Sequence, residues 1–286
     1  MNHFFGWMLP LFFFPAAALS AVACPESDLG VPSCNQYFLS IRRNQGRSIG
    51  NNASYTTLEA LSFPVHSQTL WPFLDLRAHH FDKSDKYAAN AGIGFRIAPK
   101  CTDQIFGINA YYDFRHVRHA HFNQVGLGLE MLGCIWNFRL NGYLPVGQKR
   151  FLASSCFFDG YTGGFFLLHE KFIDSLKGCN FEMEALVSDF CWAELYLSMG
   201  GYYYKGNKCQ GNIYGTEYRL TAKRCDRYAL SVVATHDCVF KTRVEVQLTW
   251  TIPLNCRWLE KAALFQPVRR HELIIVDKRH RWTRNF

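Results

Sequence analysis

The chain has 286 residues, a formal net charge of +8 at pH 7 and an aromatic content of 16%. Downstream of the amino terminus, no uncharged apolar run reaches the roughly 18 residues that a membrane-spanning helix needs, which excludes a helical multi-span protein. Residues 257–286 hold eight Lys or Arg against three acids, a difference of +5. The basic excess therefore lies in the carboxyl-terminal tail and does not indicate a nucleic-acid surface.

The first residues have the composition of a secretory signal peptide. Residues 4–22 are apolar, and the A-V-A sequence at 21–23 is an A-x-A cleavage signal. We therefore predict a signal peptide over residues 1–23 and a short periplasmic segment over residues 24–35. A lipoprotein signal, with Cys24 acylated, is the alternative.

Alternation of apolar and polar residues dominates the rest of the chain. In residues 105–115 every second side chain is apolar, and the residues between them are mostly Gly, Asn or charged, which is the period of a β-strand. Glycines and charges of both signs on the second face suit the wet lumen of a barrel better than a soluble sandwich. We predict an all-β fold, a transmembrane antiparallel β-barrel of about twelve strands over residues 36–252. The strands are predicted at about residues 36–42, 54–65, 69–80, 87–98, 104–115, 122–132, 135–145, 180–187, 192–204, 212–222, 227–236 and 239–252.

The spacing of these strands predicts which connections face outward. Bacterial barrels keep their periplasmic turns short, so residues 146–179 are expected to form one long outside loop. Apolar residues at near-helical spacing predict a short amphipathic helix over residues 165–177. A lid or a receptor contact is one interpretation of this loop, and a loop packed on its own side chains is the favoured alternative.

Charged residues on the predicted inward face carry both signs. Pairs such as Glu182 and Glu184 could serve acid/base chemistry, but opposite charges on adjacent strands satisfy each other, and no nucleophile or fixed histidine lies among them. We therefore predict no enzyme, no catalytic residue and no cofactor. The predicted lumen-facing charges are Arg77, Arg96, Asp113, Arg115, Glu130, Arg139, Glu182, Glu184, Glu217, Arg219, Arg243 and Glu245.

Five histidines, His79, His80, His116, His119 and His121, are predicted at the tips of outside loops. The H-x-x-H-x-H spacing could hold a transition metal, but no carboxylate is evident nearby to orient the rings. Solvated loops are the favoured interpretation, and no metal site is predicted.

The chain has eleven cysteines and no C-x-x-C pair, which argues against a zinc module or a thioredoxin-like site. Disulfides in an oxidising envelope compartment are the expectation. The odd total leaves at least one thiol for another protein. The candidate disulfide cysteines are Cys24, Cys34, Cys101, Cys134, Cys191, Cys225 and Cys256 on the periplasmic side, and Cys156, Cys179, Cys209 and Cys238 on the outer side.

Four ordered motifs resemble a known family. N-A-G-I-G-F-R at 90–96, G-I-N-A-Y-Y-D-F at 107–114, V-G-L-G-L-E at 125–130 and N-G-Y-L-P at 141–145 are similar to the translocator barrel of the invasin/intimin group, the inverse autotransporters. The resemblance is strongest over residues 54–147 and weakens over 180–252. It implies a twelve-stranded outer-membrane barrel whose linker threads the pore and carries an adhesive passenger of immunoglobulin-like domains outside. Because the sequence ends at residue 286, we expect no passenger here and no adhesion by one.

The basic tail, residues 253–286, resembles the linker of that family. Helix-forming residues over 258–265 are followed by Pro267, which stops a helix, and by an extended segment over 273–276. The resemblance places the tail in the pore, where acids of the inward wall would attract it; a basic periplasmic tail ending in Phe286 is the alternative. The residues of the linker motif are Pro267, Val268, Arg269, Arg270, Ile274 and Val276.

These features together predict a protein of the bacterial outer membrane with a structural or surface-interaction role and no catalysis. A small porin-like channel is the alternative, and an outer-membrane enzyme has the least support. The expected partners are outer-membrane lipid and the barrel-assembly machinery, together with disulfide-linked envelope proteins and a host surface receptor. No nucleic acid is expected to bind.

Overall fold

The computed structural model describes residues 35–64, 69–82, 86–99, 104–117, 119–162, 165–206, 211–224, 227–254 and 263–285. These residues form fifteen strands and one short 3₁₀ turn. The strands are β1 (Gln36–Gly46), β2 (Tyr55–Phe63), β3 (Leu70–Phe81), β4 (Tyr87–Ile97), β5 (Ile105–Val117), β6 (Ala120–Leu132), β7 (Trp136–Val146), β8 (Arg150–Thr162), β9 (Phe165–Ser175), β10 (Lys177–Phe190), β11 (Ala193–Lys205), β12 (Ile213–Arg224), β13 (Tyr228–Asp237), β14 (Arg243–Pro253) and β15 (Val276–Asn285). The described residues include no helix that is long and apolar enough to cross a membrane.

Twelve strands close into an antiparallel barrel in the order β1-β14-β13-β12-β11-β10-β7-β6-β5-β4-β3-β2. This confirms the predicted fold class and strand number. Most strand ends agree with the prediction within a few residues, but β14 begins at Arg243 rather than at residue 239. The reason is a turn in which the Asp237 carboxylate accepts hydrogen bonds from the backbone N–H groups of Val239 and Phe240, at 2.7 and 2.5 Å.

The two faces of the barrel wall differ as the alternation predicts. Apolar side chains project outward, among them Ile93 and Leu127, with 59% and 62% of their surface exposed. Aromatic residues gather at both rims, with Trp192 and Trp250 at the end where β1 begins and Tyr214 at the other. This distribution is typical of a barrel that lies in a bilayer, with an apolar band between two aromatic girdles. We call the end where β1 begins the lower end and the opposite one the upper end.

The long connection between β7 and β10 lies at the upper end and is a β-hairpin, β8 and β9. The helix predicted over residues 165–177 is therefore wrong. The segment is rich in aromatic residues, which favour strands, and β9 has a partner on each side, with β8 along one edge and β15 along the other. β15, which comes from the last residues of the sequence, is therefore the strand that completes the three-stranded sheet.

The tail runs upward through the barrel. The predicted helix over 258–265 falls largely on residues outside the described ranges, and Ala263–Phe265 form the 3₁₀ turn. From there the chain is extended to residue 275. Leu264 packs among residues of the lower end, such as Phe63, whereas the Ile275 carbonyl accepts a hydrogen bond from Leu176 N–H, 3.0 Å long, beside the upper hairpin. We call residues 263–275 the lumen segment.

The lipid-facing row is tested by a pair of matched leucine substitutions. Leu127, near the middle of β6, should cost roughly 2–4 kcal/mol of unfolding free energy in lipid vesicles when it is replaced by arginine. Leu152→Arg, at an exposed leucine of β8 outside the barrel, should change the free energy little. Equal losses for Leu127→Arg and Leu152→Arg would contradict the assignment of the outward face.

Candidate functional site: the lumen and its C-terminal segment

The charges predicted to face the lumen all lie on inward rows of the barrel strands. Ten of the twelve are buried; Arg219 is partly buried, and Arg243 lies at the upper end of β14. Sequence reasoning missed Arg42 and Glu59, which share the lumen. The signal was present, because both lie within the predicted strands 36–42 and 54–65 and each follows an outward apolar residue, Ile41 or Leu58.

The wall carboxylates are held by arginines of the same strand or of nearby strands. Arg96 donates to Glu130 at 2.7 Å, and the Arg77 guanidinium lies 2.5 Å from Asp75 and 3.1 Å from Glu59. Because these groups are desolvated, an unpaired member would be strongly unfavourable. The wall is therefore a charge-paired surface.

Arg270 of the lumen segment is clamped by β5 and β6. Its guanidinium makes two hydrogen bonds to the Asp113 carboxylate, of 2.9 and 2.5 Å, and lies 4.3 Å from the centre of the Tyr111 ring. The side chain fits because residue 126 is glycine: a Cβ there would lie 2.7 Å from the Arg270 guanidinium nitrogen. A bidentate pair and a stacked ring fix both the position and the plane of this arginine.

Arg269 points to a different part of the wall. Its guanidinium donates to Glu182 at 3.0 Å and to Glu184, both on β10, and lies 3.5 Å from the Ser198 hydroxyl of β11. Consecutive arginines thus bind strands β5 and β10, which are three positions apart around the barrel.

His271 and Glu272 continue this pattern one step higher. The His271 ring bonds to Glu217 at 3.0 Å and to the Tyr204 hydroxyl at 2.6 Å. The Glu272 carboxylate lies 2.8 Å from Arg42 and 2.6 Å from Arg77. Four successive residues of the lumen segment therefore each bind charged side chains of the wall.

Side chains of the wall also bind the backbone of the lumen segment. Arg77 donates to the Val268 carbonyl at 2.8 Å, and Arg115 donates to the Ile274 carbonyl at 2.5 Å. The other backbone contacts of this kind run from Arg96 to Leu264, from Asn141 to Arg269 and from Asn90 to Glu272. An extended chain with buried carbonyls needs such donors, and here arginine and asparagine side chains supply them.

Apolar side chains seal both ends of the lumen segment. At the lower end Phe265 packs edge-on against Phe63 and Trp71, with ring centres 5.0 and 5.8 Å away. At the upper end Ile274 and Ile275 are buried in two apolar clusters of the wall. Apolar contacts therefore fix both ends of the segment, and the ion pairs of its charged middle lie in a partly desolvated space, which strengthens them.

Above the barrel, the chain becomes β15 and pairs along the full length of β9, from Val276 opposite Ser175 to Asn285 opposite Phe166. Asp277 stands directly opposite Asp174, and burial raises the pKa of the Asp277 carboxyl above its ordinary value. Arg150 of β8 binds Asp174 at 2.7 Å. β15 is thus the third strand of the sheet that begins with the β8–β9 hairpin.

The linker motif divides between these two parts of the tail. Pro267, Val268, Arg269, Arg270 and Ile274 lie in the lumen segment, and Val276 begins β15. The expectation that acids of the wall attract the whole +5 tail needs correction, because β15 carries its bases above the barrel. Within the lumen segment only two arginines face those acids.

Comparison with known proteins now adds to this geometry. Residues 40–156 match the family model described as inverse autotransporter, beta-domain. Over these residues the barrel is similar to an inverse autotransporter β-domain. The barrel lies in the bacterial outer membrane. No curated protein sequence matches the chain.

One of the similar solved structures shares the fold of this barrel at low sequence identity, and two others are less similar to it. A membrane protein from a study of in-meso crystallization is 14% identical, covering 85% of this chain and 100% of that chain, with a TM-score of 0.65. An outer membrane channel from Pseudomonas putida F1 is 10% identical over 80% of this chain and 100% of that one, with a TM-score of 0.45. The translocator domain of the autotransporter NalP from Neisseria meningitidis is 7% identical over 78% and 90%, with a TM-score of 0.28.

The predicted positions of the histidines in outside loops need correction. His79 is not in a loop: it is buried in the lumen, bonded to Thr57 at 2.9 Å and to Asn90 at 2.6 Å. His116 and His121 lie within β5 and β6, where their rings stack 4.8 Å apart at the upper rim. His80 lies one residue before the end of β3, on the outward row, and His119 lies in the β5–β6 turn. Within the described ranges, no three His, Cys, Asp or Glu residues are placed to bind a metal ion.

The predicted disulfides stay predictions. Cys24, Cys34, Cys101, Cys209, Cys225 and Cys256 lie outside the described residues. Among the described ones, Cys156, Cys179, Cys191 and Cys238 are exposed and carry free thiols. Cys134 lies in the tight turn between β6 and β7.

The Arg270 clamp yields a test with a built-in control. Asp113→Asn should lower the unfolding free energy of the full chain by about 3–5 kcal/mol, because it leaves a buried arginine without its carboxylate. In a chain that lacks residues 257–286, Asp113→Asn should cost far less, since no Arg270 remains. Equal effects in both backgrounds, measured by denaturant unfolding in lipid, would show that Asp113 does not hold the lumen segment.

Proposed function

We propose that this protein is an outer-membrane anchor that carries its own C-terminal segment through the barrel and displays β15 on the cell surface, a structural and surface-interaction role without catalysis. The observation that supports it most is the continuous course of residues 263–285, from the apolar seal at the lower end to the third strand of the upper hairpin.

Loop length supports placing the upper end outside the cell. Bacterial barrels keep short turns on the periplasmic side, and the lower end carries tight turns such as residues 133–135 and 191–192. The upper end carries the β8–β9 hairpin. With this orientation the lumen segment runs from the periplasm to the surface.

The state of the carboxylates argues against an enzyme. Glu182 and Glu184, the pair that suggested acid/base chemistry, are both bound by Arg139 and Arg269. Carboxylates held between arginines have no free path to a substrate. Their role is to hold the lumen segment.

The upper sheet offers the surface for partners. Its strand order is β15-β9-β8, so β8 and β15 are its edges among the described residues. Exposed strand edges bind extended peptides by strand addition. A host receptor is a partner of this kind, and disulfide-linked envelope proteins would meet the exposed thiol of Cys156 or Cys238. Outer-membrane lipid surrounds the barrel, and the barrel-assembly machinery would insert it into the membrane.

Epitope tags test this orientation and the display of β15. A tag joined after residue 286 and a tag inserted between β8 and β9 should both bind antibody on intact cells, whereas a tag at residue 67, between β2 and β3, should react only after the outer membrane is opened. A carboxyl-terminal tag that stays silent on intact cells, while the hairpin tag reacts, would contradict display of β15. Inversion of the whole pattern would contradict the orientation.

A further inference from the structure

The lumen segment does not fill the barrel evenly. Its side chains bind β3, β5, β10 and β11, and also Arg42 of β1 and Glu217 of β12. Two cavities of about 150 and 80 Å³ nevertheless remain between it and the wall of β1 and β12–β14. The larger is bounded near the lower end by Gln36 and Pro253. The smaller is bounded near the upper end by Ser48 and Thr235. Together they follow one side of the segment along the barrel.

The two cavities share three arginines in their linings. Arg42, Arg219 and Arg269 line both of them, together with Gln247. The Nε–H groups of Arg42 and Arg219 are buried and have no hydrogen-bond partner among the described residues. Buried donors beside a polar cavity are where water or an anion binds.

The charge along this side is positive. The larger cavity is lined by five basic residues and one acid, and Lys223 and Arg227 stand towards its lower mouth. The smaller cavity is lined by five arginines and three glutamates. Rings of arginine and lysine are how pores select anions. This balance differs from the opposite wall, where the acids are used to hold the segment.

Small hydroxyl side chains leave this side open. Ser40 and Thr251 are hydrogen-bonded to each other at 2.9 Å across β1 and β14, as are Thr221 and Ser231 across β12 and β13. Short side chains that satisfy one another leave room for water between the wall and the segment. In each pair one hydroxyl donates to the other, and the second O–H can donate to water or to an anion.

The turn between β1 and β2 covers the upper end of the smaller cavity. Arg243 donates to the carbonyl oxygens of Ser48 and Asn51, each at 2.7 Å. Ile49 is buried and packs in one cluster with Ile275 of the lumen segment. Arg243 therefore holds the β1–β2 turn over the upper end of the smaller cavity.

We propose that the barrel, with its lumen segment in place, conducts small anions such as chloride along the wall of β1 and β12–β14, past Arg42, Arg219 and Arg269, with the β1–β2 turn as a lid. The proposal rests on the proposed function, in which the lumen segment occupies the barrel. It differs from an open porin because the path runs beside the segment.

The reversal potential of the full chain in planar bilayers under a KCl gradient tests this directly. We expect a small steady conductance whose reversal potential lies towards the chloride equilibrium potential. Arg219→Gln and, separately, Lys223→Gln should shift it towards potassium, and Thr249→Trp should reduce the conductance. Arg243→Gln should raise the conductance by releasing the lid. Lys278→Gln, above the barrel on β15, is the matched control and should change nothing.

A full chain that conducts no ions, that favours potassium, or whose selectivity survives both charge-removing substitutions would overturn the anion path. These outcomes are separate from failure of the proposed function. If the carboxyl-terminal tag is displayed on cells but the full chain is closed, the display stands and the path is wrong. If the carboxyl-terminal tag is not displayed, the lumen segment does not pass through the barrel as the proposed function requires.

Discussion

Charge pairing in a confined lumen is the constraint on which this structure depends. A barrel in lipid satisfies its backbone by closure, and its outward side chains are simply apolar, but the inward rows crowd arginines and carboxylates into a space largely shielded from water. Such charges are tolerated only when each is paired and hydrogen-bonded. The lumen segment enters this network as a member of it, since Arg269, Arg270, His271 and Glu272 each complete pairs on the wall.

The same network explains how an extended chain is held without forming a strand. A strand in the lumen would need an edge to pair with, and a closed barrel has none. The wall instead presents side-chain donors: Arg77, Arg115 and Asn141 reach the carbonyls of the segment. Once the chain leaves the barrel, it meets the open edge of β9 and becomes a strand again. The change from side-chain to backbone pairing therefore marks the exit from the pore.

The parts of the fold that follow from local alternation were predictable, and the parts that need a distant partner were not. The twelve barrel strands repeat a period of two, so their number and their inward charges were readable from the sequence. The strand β9 was predicted as a helix because its apolar spacing is ambiguous by itself, and its second partner lies more than a hundred residues away, at the end of the chain. His79 was assigned to a loop because the predicted third strand ended one residue later, while the register with Thr57 and Asn90 that buries it is a property of three strands together. The hydrogen bonds from wall side chains to the backbone carbonyls of the lumen segment could not be predicted. The sequence does not show which carbonyl a given arginine reaches in the folded barrel.

The most direct measurement of the central claim is the conductance of three chains in planar bilayers: the full chain, a chain that lacks residues 276–286, and a chain that lacks residues 257–286. If residues 263–275 occupy the lumen, the loss of β15 alone should leave the conductance close to that of the full chain, and the longer deletion should open a large, salt-sensitive pore in a barrel that still folds. A correctly folded barrel whose conductance is the same in all three chains would contradict the account, because the segment would then lie outside the pore.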